Sequence, residues 1–265
     1  FNCMKYLYIF FGTIVIASLL SIKIKAQDPI ATQYSSIRQL LNPASVGLQE
    51  TDWQVSGNYK SQWWGNASIP FVYFTAAAER RWLIGKNKNN QIGLGLLAQN
   101  QQSNQGLLKT NMIMLSAAYH NHLNESGTST ISGGISLGYR NLLVDASKFQ
   151  FGSQIGNFGF QPSIPSNDPV VLTSPSAVSI HTGIHYKQVA EKHHIYAGIA
   201  MYHAGTSSNT VAKSNGHWQM PSRISIQGGY GHTLGTDAIQ LTATSQLQGS
   251  TSIHMAGLIY QLGVS

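Results

Sequence analysis

Hydrophobic and polar residues alternate at every second position along most of the chain from Trp53 onward. In the segment Ile131–Arg140, Ile135, Leu137 and Tyr139 fall on one face, and serine and glycine residues fall on the other. Side chains of a β-strand point alternately to its two faces, so a period of two predicts strands with one apolar and one polar face. The same alternation recurs through the rest of the chain, which predicts an all-β fold.

We predict about ten strands, with one or two more near Leu142–Phe151. The ten are Trp53–Trp63, Phe71–Arg81, Gln91–Gln99, Leu107–His120, Ile131–Arg140, Ala177–Tyr186, His194–His203, Arg223–Thr233, Ile239–Gln248 and Ser252–Leu262. Strands of about ten residues suit a tilted crossing of the hydrocarbon layer. Aromatic residues near the strand ends predict girdles at the membrane interfaces. These residues are Trp63, Trp64, Trp82, Tyr119, Tyr139, Tyr186, Tyr202, Trp218 and Tyr260.

The connections between the predicted strands are unequal, as is usual in transmembrane barrels. Long connections rich in Gly, Pro, Ser and Asn are expected on one side of the membrane, at Gln99–Gly106, Phe151–Pro175 and His203–Pro221. Short connections at Thr233–Asp237 and Gly249–Thr251 are expected on the other side.

Composition separates a membrane barrel from other classes. Only 9% of residues are charged, whereas a soluble domain carries about 25%. No run of about 18 apolar residues follows the N-terminal region, which excludes a polytopic helical membrane protein. A soluble β-sandwich is the alternative, but it predicts Lys, Glu and Thr on the polar faces, where this chain has Ser, Gly, Gln and His. The sequence therefore predicts an antiparallel transmembrane β-barrel of the outer membrane.

The first 26 residues have the features of a signal peptide. Met4-Lys5 supplies a short positive region, Tyr6–Leu20 is almost continuously apolar, and the small residue Ala26 precedes a plausible cleavage site. A single membrane anchor is the alternative, but the apolar run is short and basic residues follow it closely. We therefore expect export through the inner membrane. The expected organisation is a signal peptide at 1–26, a periplasmic pre-barrel segment at 27–52 and the barrel at 53–265.

Charge and cysteine content exclude two further classes. The net charge is +7, and three of the 16 basic residues lie in the predicted signal peptide, which leaves 13 against 9 acidic residues. This mild excess forms no Lys/Arg stripe, so we expect no nucleic-acid binding. The single cysteine, Cys3, also lies in the signal peptide, so the mature chain has no disulfide and no thiolate metal site.

Several short motifs follow one another in a specific order along the chain. They are Gln27-Asp28-Pro29, Gln33-Tyr34, Leu41-Asn42-Pro43-Ala44 ending at Gly47, Tyr59-Lys60-Ser61-Gln62-Trp63, a glycine-containing strand ending at His203, and Pro221-Ser222-Arg223. Together they resemble the PorP/SprF family of Bacteroidota outer-membrane proteins. The chain departs from the family pattern at Ser45 and Val46, where an aromatic and a small residue are usual.

The resemblance implies a role in the type IX secretion system, which exports proteins across the outer membrane and in many species powers gliding. It implies a non-enzymatic barrel of about fourteen strands without cofactors, so we expect this chain to lack the last strands. The implied partners are secretion machinery subunits, a secreted surface adhesin, or both, and outer-membrane lipid. We expect the segment 27–52 to face periplasmic machinery and the pairs Asn42-Pro43 and Gln62-Trp63 to shape the periplasmic side. The structural or partner-facing residues implied by the motifs are Gln33, Tyr34, Asn42, Pro43, Gly47, Tyr59, Gln62, Trp63, Pro221 and Arg223.

One motif matches a catalytic pattern. Gly134–Gly138 reads G-x-S-x-G around Ser136, and Asp168 and His181 follow in the order of α/β-hydrolases. That chemistry needs a sharp strand-to-helix turn, whereas here the alternation continues through the motif. We therefore predict no catalytic residues and read Ser136 as a small residue of the inner face.

Histidines and arginines on the polar faces are the remaining candidates for chemistry. His181 and His185 share a strand face but lie about 13 Å apart, too far to bind one ion alone, so we predict no metal site. The predicted lumen-lining residues are Arg140, His181, His185 and Arg223. The two arginines, with Lys109, either make the lumen favour anions or pair with Glu or Gln side chains on neighbouring strands. The sequence leaves both possibilities open. A passive outer-membrane channel or small-molecule transporter is the alternative function.

Overall fold

The computed structural model describes residues 36–263 apart from 50, 64, 66–68, 85–89, 104–105, 125, 146–148, 157–158, 166–175 and 207–219. The predicted signal peptide, Gln33, Tyr34, Trp64, Asp168 and Trp218 lie outside the described residues. In the described part of the chain, no helix is long and apolar enough to cross a membrane.

Ten strands form one antiparallel sheet that curls into a half-barrel, which confirms the all-β prediction. They are β1 (Trp53–Gln62), β2 (Phe71–Ile84), β3 (Asn90–Ser103), β4 (Leu108–His122), β5 (Ser129–Val144), β8 (Ser176–Val189), β9 (His193–Thr206), β10 (Arg223–Leu234), β11 (Asp237–Gln248) and β12 (Thr251–Gln261). Each strand pairs with the next in this order. Two short strands, β6 (Ile155–Gly156) and β7 (Gly159–Phe160), form a separate hairpin between β5 and β8.

All ten predicted strands of the sheet are confirmed, and several are longer than predicted. Residues 99–103 were expected in a long connection, but β3 continues to Ser103 and pairs Gln102 with Lys109 of β4. Backbone hydrogen bonds form whether or not the side chains are polar, so this pairing extends the strand through a polar sequence.

Antiparallel neighbours alternate in direction, which fixes the end at which each connection lies. We call the end where β1 begins the entry end and the opposite end the loop end. Strands β5 and β9 end at the loop end, and β8 and β10 begin there, as the prediction that the two long connections share a side requires. The prediction for Gly249–Thr251 is wrong, because the turn between β11 and β12 also lies at the loop end.

Apolar side chains cover the outer face of the sheet, and small or polar side chains cover the inner face. On β5, Ile135 and Leu137 are 56% and 52% exposed, whereas Ser132 and Ser136 are each 2% exposed. This distribution is the reverse of a soluble domain and suits a barrel whose outer face contacts hydrocarbon. Lys109 shares the outer face with Ile113 of β4, so its predicted position in the lumen is wrong.

Aromatic side chains of the outer face gather towards the two ends of the strands. Those near the entry end are Trp53, Trp82, Tyr119, Tyr186, Tyr230 and Tyr260, and those near the loop end are Tyr59, Phe74 and Tyr139. Tyr202 was predicted in a girdle, but it is only 2% exposed and lies on the inner face.

Tyr202 lies on the inner face because it continues the alternation of β9: Ala200 and Tyr202 are buried, whereas Ile199 and Met201 are exposed. A bulge follows directly after Tyr202. The register between β8 and β9 shifts between Ile180 and Thr182, and His203 has a φ of 58°. The extra residues interrupt the alternation after Tyr202, so His203 also faces inward. The backbone N–H of His203 donates to Nδ1 of His181 at 3.0 Å, which satisfies a donor freed by the bulge.

Candidate functional site

Residues 36–49, which we call the inner segment, lie on the concave face of the sheet. The segment contains two short 3₁₀ turns, Arg38–Leu40 and Pro43–Ser45. Asn42 precedes the second turn, and its side-chain oxygen accepts the N–H of Ala44 at 2.9 Å. Pro43 begins the turn, where its missing N–H leaves no donor unsatisfied. The Asn42-Pro43 pair thus shapes the segment locally.

Glycines on the concave face of the sheet, which we call the wall, make room for this segment. An added Cβ at Gly134 of β5 would lie 2.5 Å from the backbone carbons of Pro43 and Ala44. At Gly93 of β3 it would overlap the carbonyl of Val46. Backbone atoms cannot rotate away as a side chain can, so at these positions only glycine lets the segment approach the sheet.

The same fit recurs beside the side chains of the segment. An added Cβ at Gly95 would lie 2.6 Å from Nε2 of Gln39, and one at Gly198 would lie 2.7 Å from Nδ2 of Asn42. Gly183 is the cross-strand partner of Gly134, and its added Cβ would overlap Oδ1 of Asn42. These five inner-face glycines, on β3, β5, β8 and β9, form a groove that holds the inner segment.

Side chains of the wall bind the backbone of the segment. Nε2 of His120 lies 2.7 Å from the carbonyl oxygen of Val46, and its Nδ1 lies 2.7 Å from the hydroxyl of Ser132. Since a carbonyl can only accept, Nε2 carries the proton and Nδ1 accepts from Ser132. Glu79 accepts the N–H of Gly47 at 3.1 Å.

Two further wall residues bind the first turn. The hydroxyl of Tyr202 donates to the carbonyl of Gln39 at 2.7 Å. Arg223 donates to the carbonyl of Leu40 at 3.0 Å, and its guanidinium lies 4.0 Å from the ring centre of Tyr202. Strands β9 and β10 therefore both contribute directly to holding the segment, through Tyr202 and Arg223.

Asn42 links the segment to two strands at once. Its Nδ2 donates to the carbonyl of Ile184 on β8 at 2.9 Å and lies 3.4 Å from the carbonyl of Ile199 on β9. The residue is fully buried. Asn42 thus lies inside the half-barrel near mid-strand, whereas Gln62 and Trp63 lie at the loop end, so the two motifs do not meet at one end of the sheet.

An apolar contact completes the interface. Ile37 of the segment packs against Ala77, Leu97 and Met114 of the wall, and all four are almost fully buried. These residues form the hydrophobic core cluster, which lies between the segment and the sheet. The concave face thus holds its own core, separate from the outer apolar face.

The four predicted lumen-lining residues all face inward. Arg140, His181 and Arg223 border a small cavity of about 20 Å³ beside Leu40. Such a volume holds about one water molecule. His185 stacks on Tyr196, with ring centres 5.7 Å apart. In the described part of the chain, these residues therefore lie beside the inner segment.

The remaining motif residues lie away from this interface. Tyr59 and Trp63 are 67% and 65% exposed, and Trp63 packs edge-on against Phe71. The carbonyl of Pro221 accepts from the side chain of Gln248 at 3.2 Å, just before β10 begins. Sequence reasoning missed His120 and the five groove glycines. Glycines do recur on the polar faces of the predicted strands, but strand curvature and a close backbone approach leave the same pattern in sequence.

The residues of the catalytic motif are structural neighbours without the geometry of a nucleophile elbow. Ser136 lies in the middle of β5, and its hydroxyl donates to Ser116 at 2.7 Å. His181 is its cross-strand partner, but the two ring nitrogens contact Ser179 and the backbone N–H of His203. Within the described ranges, no three His, Cys, Asp or Glu residues are grouped to hold a metal ion.

Comparison with known protein families identifies a match that covers most of the chain. A family model described as type IX secretion system membrane protein PorP/SprF matches residues 23–263. No curated protein and no solved structure matches the chain.

Proposed function

Because the chain belongs to the PorP/SprF family of type IX secretion system membrane proteins, we propose that it is a non-enzymatic docking barrel of the outer membrane. The barrel anchors the protein, and its ends bind secretion machinery, an exported adhesin, or both. The proposal includes export by the N-terminal signal peptide. The observation that carries it is the inner segment, which occupies the concave face where a channel would need open space.

The contacts of the inner segment support docking over conduction. Three wall side chains donate to its carbonyls, Glu79 accepts from Gly47, and Asn42 bonds to the wall in return. Each such bond contributes about 1 kcal/mol, so their sum of about 5 kcal/mol keeps the segment in place. A segment held this firmly leaves the two ends as the surfaces available to a protein partner.

The loop end carries an ordered element suited to protein contact. The β6–β7 hairpin is held by Gln154, whose side chain donates to the carbonyl of Ile164 at 2.8 Å and whose carbonyl accepts the N–H of Gln161. On this hairpin, Ile155 is 65% exposed and Phe160 is 39% exposed. Ordered apolar side chains presented on a loop are typical of interaction surfaces.

Site-specific photo-crosslinking in cells tests the proposal. A photoreactive phenylalanine replaces Phe160 at the loop end, Leu234 at the entry end or Leu137 on the outer face. The tagged barrel is then purified from outer membranes, and its crosslinked partners are identified by mass spectrometry. We expect adhesin or other exported protein at Phe160, periplasmic secretion subunits at Leu234, and no defined protein at Leu137.

The control position decides between docking and conduction. If Phe160 and Leu234 give no protein partner above the level of Leu137, docking is wrong. Purified barrel is then tested in planar bilayers. Steady conductance in that case would support the channel reading instead.

A further inference from the structure

Arg80 is an arginine on the outer, apolar face of the sheet. It lies on β2 near the entry end, on the same face as Ala78 and Trp82. Its guanidinium carbon lies 4.9 Å from the ring centre of Trp53 and 4.4 Å from that of Trp82. Two tryptophans of an interfacial girdle therefore hold this cation at the membrane surface by cation–π contacts.

In the described part of the chain, no carboxylate neutralises Arg80. Glu79 points to the inner face and accepts from Gly47. Asp52 forms an ion pair with the next residue, Arg81, at 3.3 Å. A half-buried cation near the membrane surface attracts the phosphates of anionic lipids, and a guanidinium binds phosphate through paired N–H donors.

An apolar groove of about 610 Å³ begins at Arg80 and crosses the outer face. The small residues Ala78 and Ala117 form its floor. Their cross-strand partners on β3, Leu96 and Leu94, are larger and stand on either side of them. The larger lining residues are Leu94, Leu96, Leu115, Ile135, Leu137 and Ile180. The groove passes from β1 to β8, five strand spacings or about 24 Å, which is comparable to one extended acyl chain.

We infer that this site binds one anionic phospholipid, with its phosphate on Arg80 between Trp53 and Trp82 and an acyl chain in the groove. A net negative headgroup is favoured over a zwitterionic one because Asp52 already pairs with Arg81 and Glu79 faces inward, which leaves a headgroup ammonium without a carboxylate partner at this site. The inference rests on the outer face and is independent of the proposed docking function.

A second groove on the same face provides a matched comparison. It has about 510 Å³ and is lined by Ala243, Ala256 and His254 among others, with no arginine or lysine. Ala117→Leu fills the first groove, and Ala256→Leu fills the second. Both changes are conservative for an outer face that contacts hydrocarbon.

Native mass spectrometry of the purified barrel measures the binding. The protein is released from micelles that contain equal amounts of phosphatidylglycerol and phosphatidylcholine with the same acyl chains. We expect one phosphatidylglycerol to be retained in preference to phosphatidylcholine. Arg80→Gln reduces this preference about fivefold, the factor for one cation near an anionic surface. Ala117→Leu lowers retention of both lipids, and Ala256→Leu leaves retention unchanged.

Three results would overturn the inference. They are equal retention of the two lipids by the wild-type protein, an unchanged preference in Arg80→Gln, and equal losses in Ala117→Leu and Ala256→Leu. Circular dichroism of each sample establishes folding. If Arg80→Gln does not fold, the comparison of the two leucine variants still decides, because both keep the arginine.

Discussion

Replacing Gly134 with alanine places a methyl group where the backbone of the inner segment lies. The added carbon would be 2.5 Å from both the Pro43 carbonyl carbon and the Ala44 Cα, well inside van der Waals contact. The neighbouring Gly133 points to the opposite face, and an added carbon there meets nothing within 4 Å. Gly133→Ala is therefore a matched control, one residue away on the same strand.

The size of the effect follows from two opposing energies. Overpacking by one methyl group costs about 1–3 kcal/mol when neighbours must shift, and here both neighbours are backbone. The hydrogen bonds between segment and wall contribute about 5 kcal/mol. The segment of Gly134→Ala should therefore stay docked on average, but its undocked population should rise about 5- to 150-fold, since 1.4 kcal/mol is a factor of ten.

Hydrogen exchange with mass spectrometry measures that population in peptides covering residues 36–49. We expect faster exchange in Gly134→Ala in this range, while β11 and β12 exchange as in the wild-type protein. Gly133→Ala should match the wild type throughout. Equal exchange of the inner segment in the two alanine variants would refute the conclusion that Gly134 makes room for it.

Three further changes test separate parts of the structure. Tyr202→Phe removes the donor to the Gln39 carbonyl and should destabilise docking of the inner segment by about 1–3 kcal/mol. Hydrogen exchange of the inner segment should therefore be faster than in the wild-type protein. Unchanged exchange would contradict the role of that hydroxyl. Ser136→Ala should leave secretion of exported protein intact in a cell-based assay, and loss of secretion with normal barrel levels would favour the hydrolase reading. Leu137→Arg, in the middle of the outer face, should cost about 2–4 kcal/mol of stability in a membrane, whereas Leu234→Arg at the entry end should cost about 0–1 kcal/mol. Urea titration in lipid vesicles compares the two, and equal losses would contradict the assignment of the outer face to hydrocarbon.

The strands were predictable because their signal is local. Each residue faces the same side as the residue two positions away, so the alternation in Ile131–Arg140 is visible without any knowledge of the partner strands. Strand ends were less predictable. Residues 99–103 form strand because they pair with β4, and their polar side chains give no sign of that pairing.

The contents of the concave face were not predictable from the same pattern. The motif around Asn42 was identified by resemblance, but its position depends on contacts with Ile184 and Ile199, 142 and 157 residues away. Tyr202 follows the alternation and faces inward, but its hydrogen bond depends on the carbonyl of Gln39, 163 residues away.

The sequence alone determined an all-β chain with an apolar and a polar face on each strand, since this information lies in neighbouring positions. Only the tertiary structure decided what fills the concave side. Whether an inner-face glycine eases curvature or receives another part of the chain depends on the backbone opposite it. For Gly134 that backbone is Pro43 and Ala44, which the fold brings across from about ninety positions earlier in the chain. The donors of the wall and the carbonyls of the segment meet there.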